Sequence, residues 1–319
     1  MTIPKVSVII PNYNHEKYLD ARIQSVLNQD LYDFEIILLD DASTDKSIDV
    51  IQRYRGKKQF KIEINSTNSG STFAQWRRGI SFSEAEYIWI AESDDLADPK
   101  FLSTLVSILD NNPNVVLSYC QSNYINEAGH IVGTAKTWTD DLDIKKWSFD
   151  YISDGITECK SFLSVKNTIP NASAVVFRRA YFNSIDTKSD LRLCGDWLIW
   201  SRLISLGDLA FCKETLNYFR IHTNNVRSST SKEMTADEFL KVSREVIAAN
   251  KLDQHEKKII SDKLLSFWKH FLLNYKYASS FKYVYYLATL NRFNALRLVF
   301  SLISSRILRR IRRSKSLSL

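Results

Sequence analysis

Glycine is scarce in this chain, with 8 in 319 residues, and neither Gly-x-x-x-x-Gly-Lys nor Gly-x-Gly-x-x-Gly occurs. That disfavours a P-loop enzyme and a nicotinamide-dinucleotide enzyme. A diphosphate bound here would have to be neutralised by a metal rather than by a glycine loop. The four cysteines (Cys120, Cys159, Cys194, Cys212) are scattered, with no pair at metal-knuckle or redox spacing. Free buried thiols in a reduced compartment are therefore expected. No window approaches about 18 uninterrupted apolar residues, so no spanning helix is expected. The opening Met1-Thr2-Ile3-Pro4-Lys5 runs into a strand pattern without the charged-then-apolar order of a signal peptide. A cytoplasmic location is the expectation. Acidic residues are missing from the last 57 positions, which hold 12 Lys and Arg; the first 262 carry 31 basic against all 36 acidic residues. A mildly acidic body thus bears a strongly basic tail, an arrangement suited to an anionic surface.

The rest of the sequence alternates strand and helix over its first 120 residues. Val6 to Pro11 and Phe34 to Leu39 are short apolar runs of the kind buried in parallel sheets. Phe60 to Ile64, Tyr87 to Ile90 and Val115 to Tyr119 read as further strands. Helices fall between them: Leu19, Ile23, Val26 and Leu27 share one face, Ser43 to Tyr54 starts on Ser43 or Thr44 as N-cap, and Thr72 to Phe82 and Leu102 to Leu109 follow. Ala174 to Phe177 reads as a strand, Asp196 to Leu206 as an amphipathic helix, and the chain beyond Ala236 as helices. The pattern predicts an α/β fold with a doubly wound, mixed but mostly parallel sheet over 1–230, and a helical C-terminal region over 231–319.

Polar clusters sit where strands end: Asn12-Tyr13-Asn14, Asp40-Asp41 and Glu92-Ser93-Asp94-Asp95. In doubly wound sheets ligands bind at the carboxyl ends of the strands. An Asp after a strand is often only a turn former; three such clusters in one crevice are harder to read that way. Oxygen donors of this kind suit a hard divalent cation, Mg²⁺ or Mn²⁺, whose remaining ligands are phosphates and waters.

These residues together carry a resemblance to the family 2 glycosyltransferases, inverting enzymes with the A-type nucleotide-sugar fold. It covers about residues 5 to 225. Val6 to Asn14 is similar to the family's opening strand and turn, and Phe34 to Asp45 to its second strand and acidic turn. Asn68-Ser69-Gly70 is similar to its third turn, Tyr87 to Pro99 to its metal motif, and Gly195-Asp196-Trp197 with Trp200 and Arg202 to its late acidic motif. The resemblance implies a nucleotide-sugar donor, UDP foremost, and transfer of a single sugar to an acceptor hydroxyl. It implies that Pro11 and Tyr13 line the base and ribose pocket, that Asp41 accepts a hydrogen bond from the base, and that Asn68 belongs to the donor-binding residues. Asp94 would ligate the metal with Asp95 beside it, and Asp196 would be the general base. His222, in Tyr218 to Asn225, resembles a late Tyr-x-x-x-His segment whose histidine holds the metal or the diphosphate; a lone histidine is as often structural. Without the resemblance, Asp196 reads equally as the N-cap of its helix.

Two departures stand out. The metal motif opens with Glu92 where the family usually has Asp, and Gln75-Trp76-Arg77-Arg78-Gly79 replaces the usual Ala-Arg-Asn-x-Gly helix. The Gln-x-x-Arg-Trp motif of processive synthases is absent. Rival readings are a nucleotidyltransferase acting on a sugar phosphate, which would need a Gly-, Arg- and Lys-rich opening loop, and a catalytically silent nucleotide-sugar-binding protein. In the tail, Leu296, Val299, Phe300, Ile303, Ile307 and Ile311 recur at helical spacing, with Arg306, Arg309, Arg312 and Arg313 on another face. A basic amphipathic helix can lie on an anionic membrane, near a lipid-linked saccharide acceptor of surface polysaccharide or lipopolysaccharide synthesis. It can also be an ordinary packing helix. No nucleic-acid recognition fold is visible.

Overall fold

The computed structural model describes residues 3–188, 190–222, 230–275 and 281–316, with backbone alone for 270, 271, 273–275 and 305–316. The chain divides into two compact units, residues 1–158 with 167–229 and residues 159–166 with 230–319.

The first unit runs β1 (Val6–Asn12), α1 (Glu16–Leu27), β2 (Phe34–Asp40), α2 (Ser47–Gln52), β3 (Phe60–Ile64), α3 (Thr72–Ser81), β4 (Tyr87–Ile90), β5 (Leu96–Ala97), α4 (Phe101–Asn111) and β6 (Val115–Ile125). It continues with β7 (Ile131–Thr134), β8 (Tyr151–Asp154), α5 (Gly155–Glu158), β9 (Val175–Arg178), α6 (Arg179–Phe182), α7 (Gly195–Ile204) and β10 (Asp208–Arg220). The strands form one sheet ordered β3-β2-β1-β4-β9-β6-β10-β5, with β7 on β6 and β8 on β10. The pairs β3/β2, β2/β1, β1/β4 and β6/β10 are parallel. β9 sits antiparallel between β4 and β6. Val8, Ile9, Ile10, Ile36, Ile37 and Leu38 have no exposed surface, as expected of strands covered by helices on both faces. Each such side chain contributes about 1.5–3 kcal/mol relative to leaving it in water.

Two sequence expectations need correction. α2 begins at Ser47, and its N-cap is Lys46, not Ser43 or Thr44. Ser43 donates its N–H and its hydroxyl to the Asp40 carboxylate at 2.8 and 2.6 Å, and Thr44 donates its N–H to Asn14 Oδ1 at 2.7 Å. Those side chains hold the segment in a turn, with Ala42 at φ +60°, instead of letting it wind into helix. The region from 208 to 220, where no element was expected, is the longest strand of the sheet. Its register with β6 shifts at Cys212/Thr215 and Thr215/Asn217, and such irregularity erases a strict alternation of apolar and polar positions.

The second unit holds α8 (Lys232–Ala249), α9 (Gln254–Tyr275), α10 (Phe281–Leu290) and α11 (Arg292–Ser316). α11 packs through Asn294, Ala295 and Leu298, which are buried. Asn294 Nδ2 donates to Ser261 Oγ at 2.9 Å and to Asp262 Oδ1 at 2.8 Å. Its other face exposes Phe293, Leu296, Phe300 and Ile303, each at 49% or more. The side chains of Arg306, Ile307, Arg309, Ile311, Arg312 and Arg313 lie outside the described residues. No helix among the described residues is long and apolar enough to cross a membrane.

Gly155 opens α5 against the backbone of the α7–β10 turn. A Cβ there would stand 1.8 Å from the Ile204 carbonyl oxygen and 2.3 Å from that of Gly207. Because backbone must move to admit a methyl group, Gly155→Ala is expected to cost about 3 kcal/mol, the upper end of overpacking penalties. A urea denaturation midpoint lowered to match is the measurement; an unchanged midpoint would show that the turn yields freely.

Candidate functional site

The site is assembled from the carboxyl ends of β1, β2, β4 and β10. Register pairs Asn12 of β1 with Asp40 of β2, and Asn12 Nδ2 donates to Asp40 Oδ2 at 2.7 Å. The following turns are tied to each other. Asn14, at φ +57°, donates its N–H to Ser43 Oγ at 2.9 Å. Glu16 N–H donates to Asp45 Oδ2 at 2.9 Å, and Lys46 N–H returns to Glu16 Oε2 at 2.6 Å. Pro11 is buried in β1, whereas Tyr13, at the strand end, is 45% exposed.

Asp41 is buried and already well supplied with donors. Its Oδ1 accepts from Asn65 Nδ2, Ser69 N–H and Gln75 Nε2 at 2.6, 2.9 and 2.8 Å, and its Oδ2 from Ser69 Oγ at 2.8 Å. Any further donor must therefore come to Oδ2. Asn68 is exposed and shapes the same turn, its Oδ1 accepting from Gly70 N–H at 2.5 Å.

After β4, the two neighbouring aspartates face opposite tasks. Asp95 is 1% exposed, and it accepts from Asn171 Nδ2 at 3.0 Å and from Arg220 N–H at 2.8 Å. Arg22, with no exposed side-chain surface, stands 4.0 Å away and donates through Nε to the Glu92 carbonyl at 2.8 Å. Burial pushes the Arg22 guanidinium down to about 10. Burial, and then the Asp94 charge, raise the Asp95 carboxyl above the usual range. Arg220 also donates through Nε to the Asp94 carbonyl at 2.6 Å and through Nη1 to the carbonyls of Asn126 and Glu127 at 2.7 and 3.0 Å. The end of β10 is thereby pinned to the turn after β4, and His222 follows two residues later.

His222 Nε2 and Asp94 Oδ2 are 2.8 Å apart. Burial alone would raise the Asp94 carboxyl, but the His222 hydrogen bond and the nearby His15 outweigh it and hold it below the ordinary range. His15 joins them, its ring edge-on to His222 with centroids 5.6 Å apart and its Nδ1 2.7 Å from Ser93 Oγ. One ligand atom from each of His15, Asp94 and His222 lies within 4.8 Å of the other two. Two imidazole nitrogens and one carboxylate oxygen form a donor set that suits a divalent transition cation. The residues present thus fit the metal implied by the sequence. Glu92 lies behind this cluster: burial and the Asp94 charge push its carboxyl up to about 8, and it accepts from Trp76 Nε1 at 2.8 Å.

Asp196 sits in the first turn of α7, but it is not the N-cap, which is Cys194. The carboxylate is held by its own backbone neighbour and by one side chain: Oδ1 accepts from Trp197 N–H at 2.7 Å and Oδ2 from Asn167 Nδ2 at 3.2 Å. The amino end of a helix favours the ionised carboxylate there. α3 links this helix to the metal motif. Trp76 stacks on Trp200 of α7 at 5.8 Å while bonding Glu92, and Phe73 packs so closely on Gly195 that a Cβ there would fall 2.5 Å from the ring.

The structure thus brings Asp94 and His222 together, sets Asp95 beside them, and places Tyr13, Asp41 and Asn68 on the neighbouring turns, with Pro11 inside β1. Sequence reasoning missed His15, Arg22, Trp76 and Arg220. His15 carried a signal, as a histidine in a polar strand-end turn. Trp76 carried one as the departure from the usual helix. Arg22 and Arg220 carried no signal that sets them apart from other basic residues.

Residues 7–183 match the model of Glycosyl transferase family 2. An uncharacterized glycosyltransferase of Haemophilus influenzae is 29% identical over 83% of this chain and 80% of its own length. The poly(ribitol-phosphate) beta-N-acetylglucosaminyltransferase TarS of Staphylococcus aureus is 32% identical over 35% of this chain, and that match spans only 20% of TarS. Among solved structures, residues 1–349 of S. aureus TarS in complex with UDP-GlcNAc superpose with a TM-score of 0.66 at 18% identity, covering 94% of this chain and 92% of that one. The mannosyltransferase PcManGT of Pyrobaculum calidifontis, in complex with GDP-Man and Mn²⁺, gives a TM-score of 0.56 at 13% identity over 96% and 87% of the two chains. At these identities the superpositions show a shared fold.

The environments of the two aspartates predict unequal costs for their removal. Asp95→Ala would strand a buried Arg22 and leave Asn171 and the Arg220 N–H unpaired, a loss of about 3 kcal/mol or more. Asp94→Ala would forfeit one hydrogen bond, about 1 kcal/mol. Urea denaturation of both variants checks this; equal losses would make Asp94 a structural carboxylate.

Proposed function

The chain belongs to glycosyl transferase family 2, and from that premise we propose that it transfers a single sugar from a nucleotide-diphosphate sugar, UDP-linked foremost, to an acceptor hydroxyl with inversion. The observation that carries this reading is the meeting of Asp94 and His222 at the strand ends, with turns on one side suited to a nucleotide. The UDP-GlcNAc complex of TarS and the GDP-Man complex of PcManGT support a donor of this class.

In this reading Tyr13 stacks on the base, Pro11 and Asn68 border the base and ribose, and Asp41 accepts a base N–H at Oδ2. Asp94 and His222 hold a divalent cation, Mn²⁺ or Mg²⁺, which when bound neutralises the diphosphate. Asp95 acts through Arg220 and Asn171 to position this pair. Asp196 takes the proton from the acceptor hydroxyl as its oxygen bonds to the anomeric carbon. The bond from that carbon to the diphosphate oxygen breaks on the opposite face, and the electron pair leaves with the diphosphate. Trp76, bonded to Glu92 and stacked on Trp200, fixes the helix bearing Asp196 relative to the metal motif.

We place the acceptor at an anionic membrane, as a lipid-linked saccharide of surface polysaccharide synthesis, with the protein peripheral on the inner face. The exposed stripe Phe293, Leu296, Phe300 and Ile303 on a helix rich in arginine supports this. Flotation with phosphatidylglycerol vesicles, but not with phosphatidylcholine vesicles, is the expected result, with Leu296→Asp/Phe300→Asp reducing it at least tenfold. Equal flotation of that double variant would remove the stripe from membrane contact.

The donor site is tested by calorimetry with UDP, dTDP and GDP, each with and without Mn²⁺. Metal-dependent binding of one nucleotide, lost in Asp94→Ala, is expected. No binding by the folded protein would defeat the transferase reading. Asp196→Asn should lower kcat by roughly 10²- to 10⁴-fold with nucleotide affinity unchanged, as for loss of a general base. Full turnover in that variant would assign the proton transfer elsewhere.

A further inference from the structure

We infer that His15 is a third protein ligand of the cation, so that the metal is held by two imidazoles and one carboxylate and the site prefers Mn²⁺ and similar transition ions over Mg²⁺. The inference rests on the donor-site reading above and adds a ligand to it.

His15 occupies the N-cap position of α1, where Ser, Thr, Asp or Asn would ordinarily accept a backbone N–H. It makes no side-chain capping bond. Its ring turns instead toward Ser93, whose Oγ meets Nδ1 at 2.7 Å, so Nε2 is the nitrogen left for a ligand bond. Ligating histidines are characteristically oriented by a hydrogen bond at the other ring nitrogen. The backbone on both sides is fixed as well, by Asn14 N–H on Ser43 and Glu16 N–H on Asp45. The ring is packed edge-on against His222 and Tyr18, at centroid distances of 5.6 and 6.1 Å. His15, Asp94 and His222 thus come from three separate stretches, the β1–α1 turn, the turn after β4 and the residues after β10. Each offers a donor atom within 4.8 Å of the others.

The donor chemistry sets the selectivity. Mg²⁺ favours oxygen and keeps several waters, usually accepting one or two carboxylates plus phosphates. Imidazole favours first-row transition ions and zinc. A site offering one carboxylate and two imidazoles surrenders more to a transition ion than a site offering one of each, and His15 supplies that difference.

The test uses the full chain with Mn²⁺ and UDP, read by electron spin echo envelope modulation, which registers ¹⁴N coupled to the ion. Two coupled imidazoles are expected in the wild type, and one each in His15→Ala and His222→Ala. The Mg²⁺ concentration that displaces half the Mn²⁺ should fall roughly tenfold in His15→Ala, as metal-site substitutions commonly shift affinity by 10- to 100-fold. His15→Gln, which keeps a polar side chain of similar reach, serves if the alanine variant does not fold. One imidazole in the wild type, or two remaining in either His15 variant, overturns the inference while leaving Asp94 and His222 in place. Mn²⁺ bound in the wild type and lost in Asp94→Ala upholds the donor site independently. No protein-held Mn²⁺ in the wild type would bring down both readings.

Discussion

The arrangement of the site depends on one buried carboxylate. Asp95 accepts from the side chain of Asn171 and from the backbone of Arg220, and it lies beside the fully buried Arg22. An ionised group in that position is costly unless its partners are all present. The chain meets the cost by bringing α1, the turn after β4, the segment before β9 and the end of β10 to one point. Arg220 then reaches past Asp95 to three further carbonyls. Functional geometry at Asp94 and His222 follows from this clamp, because each lies within two residues of a clamped position.

The turn after β4 therefore divides its labour between adjacent residues. Asp95 points inward and is spent on structure; Asp94 keeps its carboxylate beside His222. Glu92 is a third variation, drawn toward Trp76, its carboxyl pushed up to about 8 by burial and the Asp94 charge. Three carboxyl groups within four positions thus have three different environments, which is why their charges can coexist in so small a volume.

A similar economy holds at the end of β2. Asp40 and Asp41 are consecutive, yet Asp40 turns to Asn12 and Ser43 while Asp41 turns to Asn65, Ser69 and Gln75. The first locks β1 to β2 and keeps residues 43–46 from joining α2. The second locks the β2 end to the start of α3. The strand ends are rigid on both sides before any ligand arrives, as preorganised binding requires.

Local sequence determined the strands and helices of the first 120 residues, because buried parallel strands are short β-branched runs and the helices between them have clear apolar faces. It also determined where polar groups would gather, since the βαβ pattern sends each strand end to one edge. Asp94 was legible as a candidate cation ligand, and His222 only as one of two readings. The pairing of His15 with His222, the inward turn of Asp95 and the burial of Arg22 and Arg220 were decided by tertiary structure. Those residues are separated by up to 207 positions, and a charged side chain looks the same in sequence whether it faces water or a buried partner. β10 was hidden for a related reason: its bulged register with β6 exists only when both strands are in place.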